Sequence, residues 1–381
     1  MTDPIGQDDR PDGAVLRGPV PDAVRSGEDF ITVARAWPLD RPSPEGEGLL
    51  VEGVDTGGAV RAARLYLRPD GDLGWTVSRA ELARPGRDRK LPGFREAADG
   101  GTVVVHRFGK RAVVRRDDRF VKVVRPGRGR EVADLAGRGH ALAAAAGFVA
   151  PEVLAGGDDR VDFSVLPGAS LHDLGAVADL TDWRRWWDLW SARWPVLVGG
   201  ERAGLRQHTA YDEAVNLRRW TDRVDRFAAL PASVAGPFAD RVREVAARLT
   251  APGPTHPLVV SHRDLHDKQV LAEGDSLGLL DFDTASLAEP ALDLANLWVH
   301  VHLRHDQGLW SAAHTAVAED AVHAVVEALQ VDPARLELYA EATRLRLACL
   351  YAFRPRYRAL ALAWADPKMR KLSSSSHPRS T

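Results

Sequence analysis

The sequence predicts an α+β fold of two lobes, a small antiparallel β lobe followed by a mainly α-helical one, with an extra β-rich module in front. Three observations lead there. Residues 102–105, 111–116 and 120–124 are short apolar runs separated by breaks at 108–110 and 117–118, the pattern of consecutive antiparallel strands. From Leu174 to Leu249, and again from Trp310, apolar residues recur at helical spacing between Gly and Pro breaks. Between these helical stretches, an apolar run at 258–260 stops at the polar loop 262–269, and a second at 277–280 stops at Asp281.

Bulk properties narrow the function. A chain of 381 residues has room for two or three domains and a sizeable core. A net charge of −2 argues against nucleic acid or a membrane surface as a partner attracted by bulk charge. The single cysteine, Cys349, has no partner for an internal disulfide. The first residues, MTDPIGQDDRPDG, lack the basic start and apolar stretch of a secretion signal, and no run approaches the roughly 20 apolar residues of a membrane span. These features together predict a cytoplasmic protein with no membrane segment.

Taken in order, residues 1–28 are rich in Pro, Gly and Asp without a sustained period and read as a loosely ordered lead. Residues 29–99 form the extra module, with strand-like segments at 30–34, 49–51, 60–67 and 75–77 and a turn signal at Arg68-Pro69-Asp70-Gly71. Residues 100–166 make the β lobe and its exit strand. After its third strand, the Ala- and Leu-rich stretch 131–146 reads as a helix. Residues 167–370 form the helical lobe, with helices expected at 182–194, 210–230, 237–249, 310–329 and 333–364, the last broken at Pro355. Trp183, Trp187, Trp190 and Trp194 fall on or near one face of the first of these, a stripe that reads as core. Residues 371–381, with four consecutive serines, read as a disordered tail.

The stretch 258–295 carries the chemistry. Two short strands joined by a turn at Gly274 and Asp275 would bring Asp264 close to Asp281, with the amide of Gln269 between them. Phosphoryl transfer needs a carboxylate to orient and deprotonate the attacking hydroxyl, and hard oxygen ligands to hold magnesium on the phosphates. Asp264, Gln269 and Asp281 supply that set. The spelling also matches the kinase catalytic loop H-R-D-L-x-x-x-N, with Gln269 in place of Asn, followed by a D-F-x magnesium motif.

Three segments, His262-Arg263-Asp264-Leu265-His266, Leu280-Asp281-Phe282-Asp283 and Glu289-Pro290-Ala291-Leu292-Asp293-Leu294-Ala295, resemble the aminoglycoside phosphotransferase and choline kinase family of small-molecule kinases. The A-P-E segment of protein kinases is absent after Asp281. The resemblance implies a protein-kinase-like bilobal fold from about Gly101 to Leu362. It further implies Mg2+ and ATP or GTP as phosphoryl donor, with a small-molecule hydroxyl as acceptor. Asp264 is then the catalytic carboxylate, and Gln269 and Asp281 are the metal ligands. Lys122, in the third strand, is the phosphate-binding lysine. Glu131, the only Glu between Lys122 and Phe148, is its expected ion-pair partner, with Asp134 as fallback. The run 161–168 resembles the segment joining the lobes, so Ser164, Val165 and Leu166 are the candidates to meet the nucleotide base. Asp293 is expected to fix the catalytic loop by hydrogen bonds, and Asp283 is a weaker ligand candidate that shares Asp281's side only in an extended chain. The helical lobe shows no acidic cluster for a polycationic aminoglycoside, and residues 335–358 are Arg-rich, which leans the expected acceptor toward a sugar or a different antibiotic. The competing readings are an aminoglycoside kinase, a protein kinase, and a pseudokinase acting as a nucleotide-binding interaction module.

Overall fold

In the computed structural model, which describes residues 18–27, 29–71, 74–252 and 256–366, each expected strand and helix region carries an element. Five strands form a first antiparallel sheet in sequence order: β1 (Ala23–Ser26), β2 (Asp29–Pro38), β3 (Glu47–Val54), β4 (Val60–Asp70) and β5 (Gly74–Leu82). β1 falls inside the stretch expected to be a loose lead. Val24 and Ile31 are buried and oppose each other across β1 and β2, and this apolar pair orders the segment despite its composition. Residues 1–17 of that lead, and the tail 371–381, lie outside the described residues.

A short helix, α1 (Phe94–Ala98), leads into the second sheet. Here β6 (Thr102–Arg107), β7 (Arg111–Arg115) and β8 (Arg119–Val124) run as hairpins; α2 (Gly129–Ala145) follows; then β9 (Val153–Gly156) and β10 (Arg160–Ser164) complete the order β6-β7-β8-β10-β9. Strand alternation divides the labour of this sheet. Ala112, Val114, Val121 and Val123 point to a small separate core with Leu91 and Phe94. The other face carries Lys122, opposite Val113, and Arg111, opposite Arg107, and looks into the cleft between the lobes.

The helical lobe opens with β11 (Ala169–Ser170), α3 (Leu171–Leu174), α4 (Leu180–Val198), α5 (Ala210–Arg226) and α6 (Ala232–Leu249). β12 (Val259–Ser261), β13 (Val270–Glu273), β14 (Ser276–Leu279) and β15 (Ser286–Ala288) then carry the motif stretch, and α7 (Pro290–Asp306), α8 (Ala312–Ala328), α9 (Pro333–Tyr351) and α10 (Arg358–Ala365) close the lobe. A 3-10 turn at Pro355–Tyr357 separates the last two, where proline cannot continue the helix. The tryptophan stripe of α4 is core as expected: Trp183, Trp187, Trp190 and Trp194 are fully buried, with successive rings 5.6 to 5.7 Å apart or stacked.

One pairing departs from expectation. β12 pairs with β15 and not with β14, whose partner is β13, the strand immediately before the turn at Gly274. The 258–260 and 277–280 runs are therefore not joined directly. The loop and Asp281 still converge, because the backbone oxygen of Gln269 accepts from Leu280 N at 2.9 Å, extending the β13–β14 hairpin by one rung.

The first sheet is not an independent bead on the chain. Its apolar face, with Ile31, Leu49, Leu65 and Trp75, joins the core of the helical lobe. Trp75 Nε1 donates to Phe227 O at 3.0 Å, its ring lies 5.6 Å from that of Phe227, and Ala36 N donates to Phe353 O at 2.9 Å. Towards the β lobe, Glu52 accepts from His106 N at 2.8 Å and pairs with Arg35. The module thus touches both lobes. Trp75→Ala should lower stability by about 3 to 5 kcal/mol, the range for deleting a buried tryptophan. Trp75→Phe keeps most of the burial and should cost less, losing the hydrogen bond worth about 1 kcal/mol. Urea unfolding midpoints of the two variants against the parent protein check this order.

Candidate active site

Lys122 lies on β8, between β7 and β10, so its backbone is held from both sides. Its side chain is largely buried and crosses the cleft: Nζ lies 3.2 Å from Asp281 Oδ1 and in closer contact with Asp283 Oδ2. Arg111, on the same sheet face, reaches within 3.8 Å of Asp283. Burial pushes the Asp281 carboxyl up, but the charges of Lys122 and then Arg111 outweigh it and hold the group at about 2. Asp283 goes the other way. Its own burial and the neighbouring Asp281 charge push it above the ordinary carboxylate value.

Backbone geometry explains how both carboxylates reach one lysine. Asp281 adopts a left-handed conformation (φ 59°, ψ 61°), which Asp tolerates better than most residues, and caps a 3-10 turn at Phe282–Thr284. The chain therefore bends instead of staying extended. An extended chain was the expected condition for Asp283 to share Asp281's side; the turn brings it there by another route. The only signal in the sequence was the second Asp of D-F-D. Phe282, between the two, is buried against α2, where a Cβ on Gly139 would lie 2.2 Å from the Phe282 ring. Only glycine leaves room for that ring.

The loop 262–269 is fixed from behind by α7. Asp293 Oδ2 accepts from Ser261 Oγ (2.8 Å) and His262 N (2.7 Å), and Oδ1 accepts from Arg263 N (2.8 Å). This is the hydrogen-bonding role expected of Asp293. Arg263 is the residue that turns the chain, with φ 65°. His262 Nε2 donates to Leu280 O at 2.7 Å and its ring lies 4.8 Å from that of Phe282, tying the loop to the Asp281 corner. Asn296 Nδ2 donates to Leu265 O at 2.7 Å, and its Oδ1 accepts from Arg346. Asp264 emerges from this frame with its side chain half exposed, 4.0 Å from His266 Nε2.

Deeper in the loop, Asp267 is fully buried and bidentate to Arg304 (2.7 and 2.9 Å), with His172 Nδ1 at 2.8 Å. Burial alone would raise its pKa; Arg304 and the His172 bond hold the carboxyl far below the usual range. His266, Asp267 and His300 are also close enough together to hold a cation. Their chemistry argues otherwise. Asp267 is already saturated by a guanidinium, and His266 Nδ1 accepts from Lys268 N at 3.1 Å. The cluster is an anchor for the loop.

For magnesium, Asp281, Asp283 and the amide oxygen of Gln269 are the hard donors that fit. The backbone bond from Leu280 N to Gln269 O brings the Gln269 backbone next to the residue that precedes Asp281. At the lobe junction, Ser164 N and Oγ are both engaged with Glu152, at 2.9 Å each, so Ser164 has no free amide for a base. The next residues, Val165 and Leu166, lie outside the strand ladder, and among the described residues no backbone partner is found for either.

Glu131 is a correction. It does not pair with Lys122; it pairs with Arg128 at 3.0 Å and lines an open cavity of about 580 Å³ with Arg263 and Asp283. Helix α2 begins at Gly129, so Glu131 sits in its first turn, facing the preceding loop. The fallback, Asp134, lines the same cavity and is not paired with Lys122 either. The lysine's charge is met from the other lobe instead.

No curated protein sequence matches the chain significantly. Among solved structures, a glucosamine kinase in complex with glucosamine, ADP and inorganic phosphate is 19% identical, with TM-score 0.50, covering 82% of this chain and 92% of its own. The amicoumacin kinase hAmiN, in complex with AMP-PNP, Ca2+ and Ami, is 12% identical, with TM-score 0.53, covering 72% and 89%. These likenesses establish the kinase-like fold, with the β-rich sheet β1–β5 in front of it. The sequence profile of the phosphotransferase enzyme family matches residues 102–339, more than half the chain and all of the motif stretch, so this chain belongs to that family.

Proposed function

We propose that the chain transfers the γ-phosphoryl group of ATP or GTP to a hydroxyl of a small acceptor, such as a sugar or an antibiotic. The observation that carries this reading is the meeting of Lys122 with Asp281 and Asp283 across the cleft, beside a rigid loop that presents Asp264. A lysine from one lobe facing two carboxylates from the other makes a site for a phosphate chain and its cation. A glucosamine kinase and an amicoumacin kinase share the fold, which is in keeping with a small-molecule acceptor.

The residues divide the reaction between them. Asp264 accepts a hydrogen bond from the acceptor hydroxyl and takes its proton as the oxygen attacks the γ-phosphorus and the bond to the bridging oxygen of the nucleoside diphosphate breaks. Lys122 exchanges its carboxylate partners for phosphate oxygens when nucleotide enters. Asp281, Asp283 and Gln269 would hold magnesium, which would neutralise phosphate charge. Val165 and Leu166 offer backbone groups to the base.

Asp264→Ala should lower turnover at least about 100-fold, the lower range for a general base, while leaving nucleotide affinity nearly unchanged. Asp281→Ala should abolish magnesium-dependent nucleotide binding. Nucleotide consumption across an acceptor panel, with calorimetry for binding, checks both; wild-type turnover in both variants would remove the assignment. Gln269→Asn keeps the ligand atom type but shortens its reach by one methylene, so it should retain activity with a higher magnesium requirement. Superimposable magnesium titrations for Gln269→Asn and Gln269→Ala would show that Gln269 is no ligand.

A further inference from the structure

The segment 83–93, which joins the front sheet to α1, lies outside the residues that the family profile matches, yet it reaches the tip of the β6–β7 hairpin. Asp88 makes the contact. Its Oδ2 accepts from Gly109 N at 2.5 Å and lies 3.1 Å from His106 Nε2, while Oδ1 accepts from Lys90 N at 2.9 Å. The side chains of Asp88 and His106 are only 1% and 3% exposed, so the cluster is shielded from water. Burial pushes the Asp88 carboxyl up, but the bonds from His106, Gly109 and Lys90 outweigh it and hold the group below its ordinary value. Hydrogen bonds to a charged acceptor are stronger than those between neutral groups, which makes this a firm tether.

Gly109 is held on both sides. It turns the chain with φ 60°, its carbonyl accepts from Arg125 Nε at 2.6 Å, and a Cβ there would lie 3.2 Å from Lys90 Cδ. The front sheet holds the same hairpin further back, where Glu52 accepts from His106 N and the Arg107 guanidinium lies 4.8 Å from the ring of Trp37. Strand alternation sorts the two faces of the hairpin. The His106 ring lies 4.7 Å from that of Phe94, and Ala112, opposite His106 in the ladder, belongs to the small core, so Asp88 meets the hairpin on the face away from the cleft. Arg107 and Arg111 oppose each other on the cleft face, and Arg111, two residues after Gly109, comes within 3.8 Å of Asp283.

We infer that Asp88 is a positioning residue for the phosphoryl donor: it fixes the tip of the β6–β7 hairpin, and through it Arg111, beside the place where Lys122 meets Asp281 and Asp283. The inference rests on the kinase reading above and adds a residue to its donor site. In protein kinases a glycine-rich hairpin covers the donor's phosphates and moves as the site closes. Here the tip has one glycine, and the tether that holds it comes from the linker of the front module. Holding a phosphate-facing segment in place lowers the ordering cost of binding. The front module thereby becomes part of the donor site instead of an appendage to it.

Calorimetry of AMP-PNP or GMP-PNP with magnesium, whichever the parent protein binds, and of the matching nucleoside by competition, separates the phosphates' share of binding from the base's. Asp88→Ala should weaken the triphosphate analogue about ten-fold and leave the nucleoside nearly unchanged. In turnover with an acceptor found by the panel, the nucleotide KM should rise in step and the acceptor KM should not. Asp88→Asn keeps one oxygen for Gly109 N and should fall between the parent and Asp88→Ala; it carries the test if Asp88→Ala does not fold. Hydrogen exchange at the Gly109 amide should quicken in both variants. A purely structural role would lower the unfolding midpoint and leave the ratio of analogue to nucleoside affinity unchanged in the folded protein. That unchanged ratio would overturn the inference and leave the kinase reading standing. A parent protein that binds neither analogue would remove the kinase reading, and this inference with it.

Discussion

A single ammonium, Lys122 Nζ, joins the two lobes by holding Asp281 and Asp283 at once. Two unit charges 4 Å apart attract by about 4 kcal/mol at an effective dielectric of 20, before desolvation is counted. With the Arg111–Asp283 pair and Phe282 packed under α2, the contact links the lobes across the cleft. The two carboxylates shift in opposite directions: at Asp281 the charges of Lys122 and Arg111 outweigh burial, whereas at Asp283 burial and the Asp281 charge outweigh Lys122.

Around that contact, the rest of the site is arranged to keep two segments still. Asp293 secures the loop through three hydrogen bonds, and His262 links the loop to the Asp281 corner. Phe282 wedges the corner under α2 at the one place where Gly139 leaves space. Asp264 is the member whose side chain is left half exposed, which suits the hydroxyl-facing role proposed for it. Behind it, Asp267 and Arg304 form a buried, mutually saturated pair that acts as a footing for the loop.

What the sequence made legible was local. H-R-D-L and D-F-D stand out because each is a contiguous spelling, and the tryptophan stripe of α4 because helical periodicity is itself a local property. The errors were all non-local. Pairing β12 with β14 was the simplest reading of two apolar runs, but β13 was hidden by the polar loop before it, and β15 took the vacant edge. Elimination along the sequence points to Glu131, whereas the lysine's partners come from about 160 residues away. Nothing in the composition of residues 18–27 announced that Val24 would oppose Ile31. Equally, no motif shows that the front module shares its core with the helical lobe and reaches the cleft edge through Arg35 and Trp37.

The proposed chemistry requires Lys122, Asp281 and Asp283 to act as one exchangeable unit. The most direct measurement is a crystal structure with AMP-PNP and manganese, using anomalous scattering to locate the metal. Manganese should lie between Asp281 and Asp283, with Gln269 or water completing its shell and Lys122 Nζ moved onto the phosphates. Manganese bound instead at His266, Asp267 and His300, or Lys122 still joined to both carboxylates with nucleotide bound elsewhere, would contradict it.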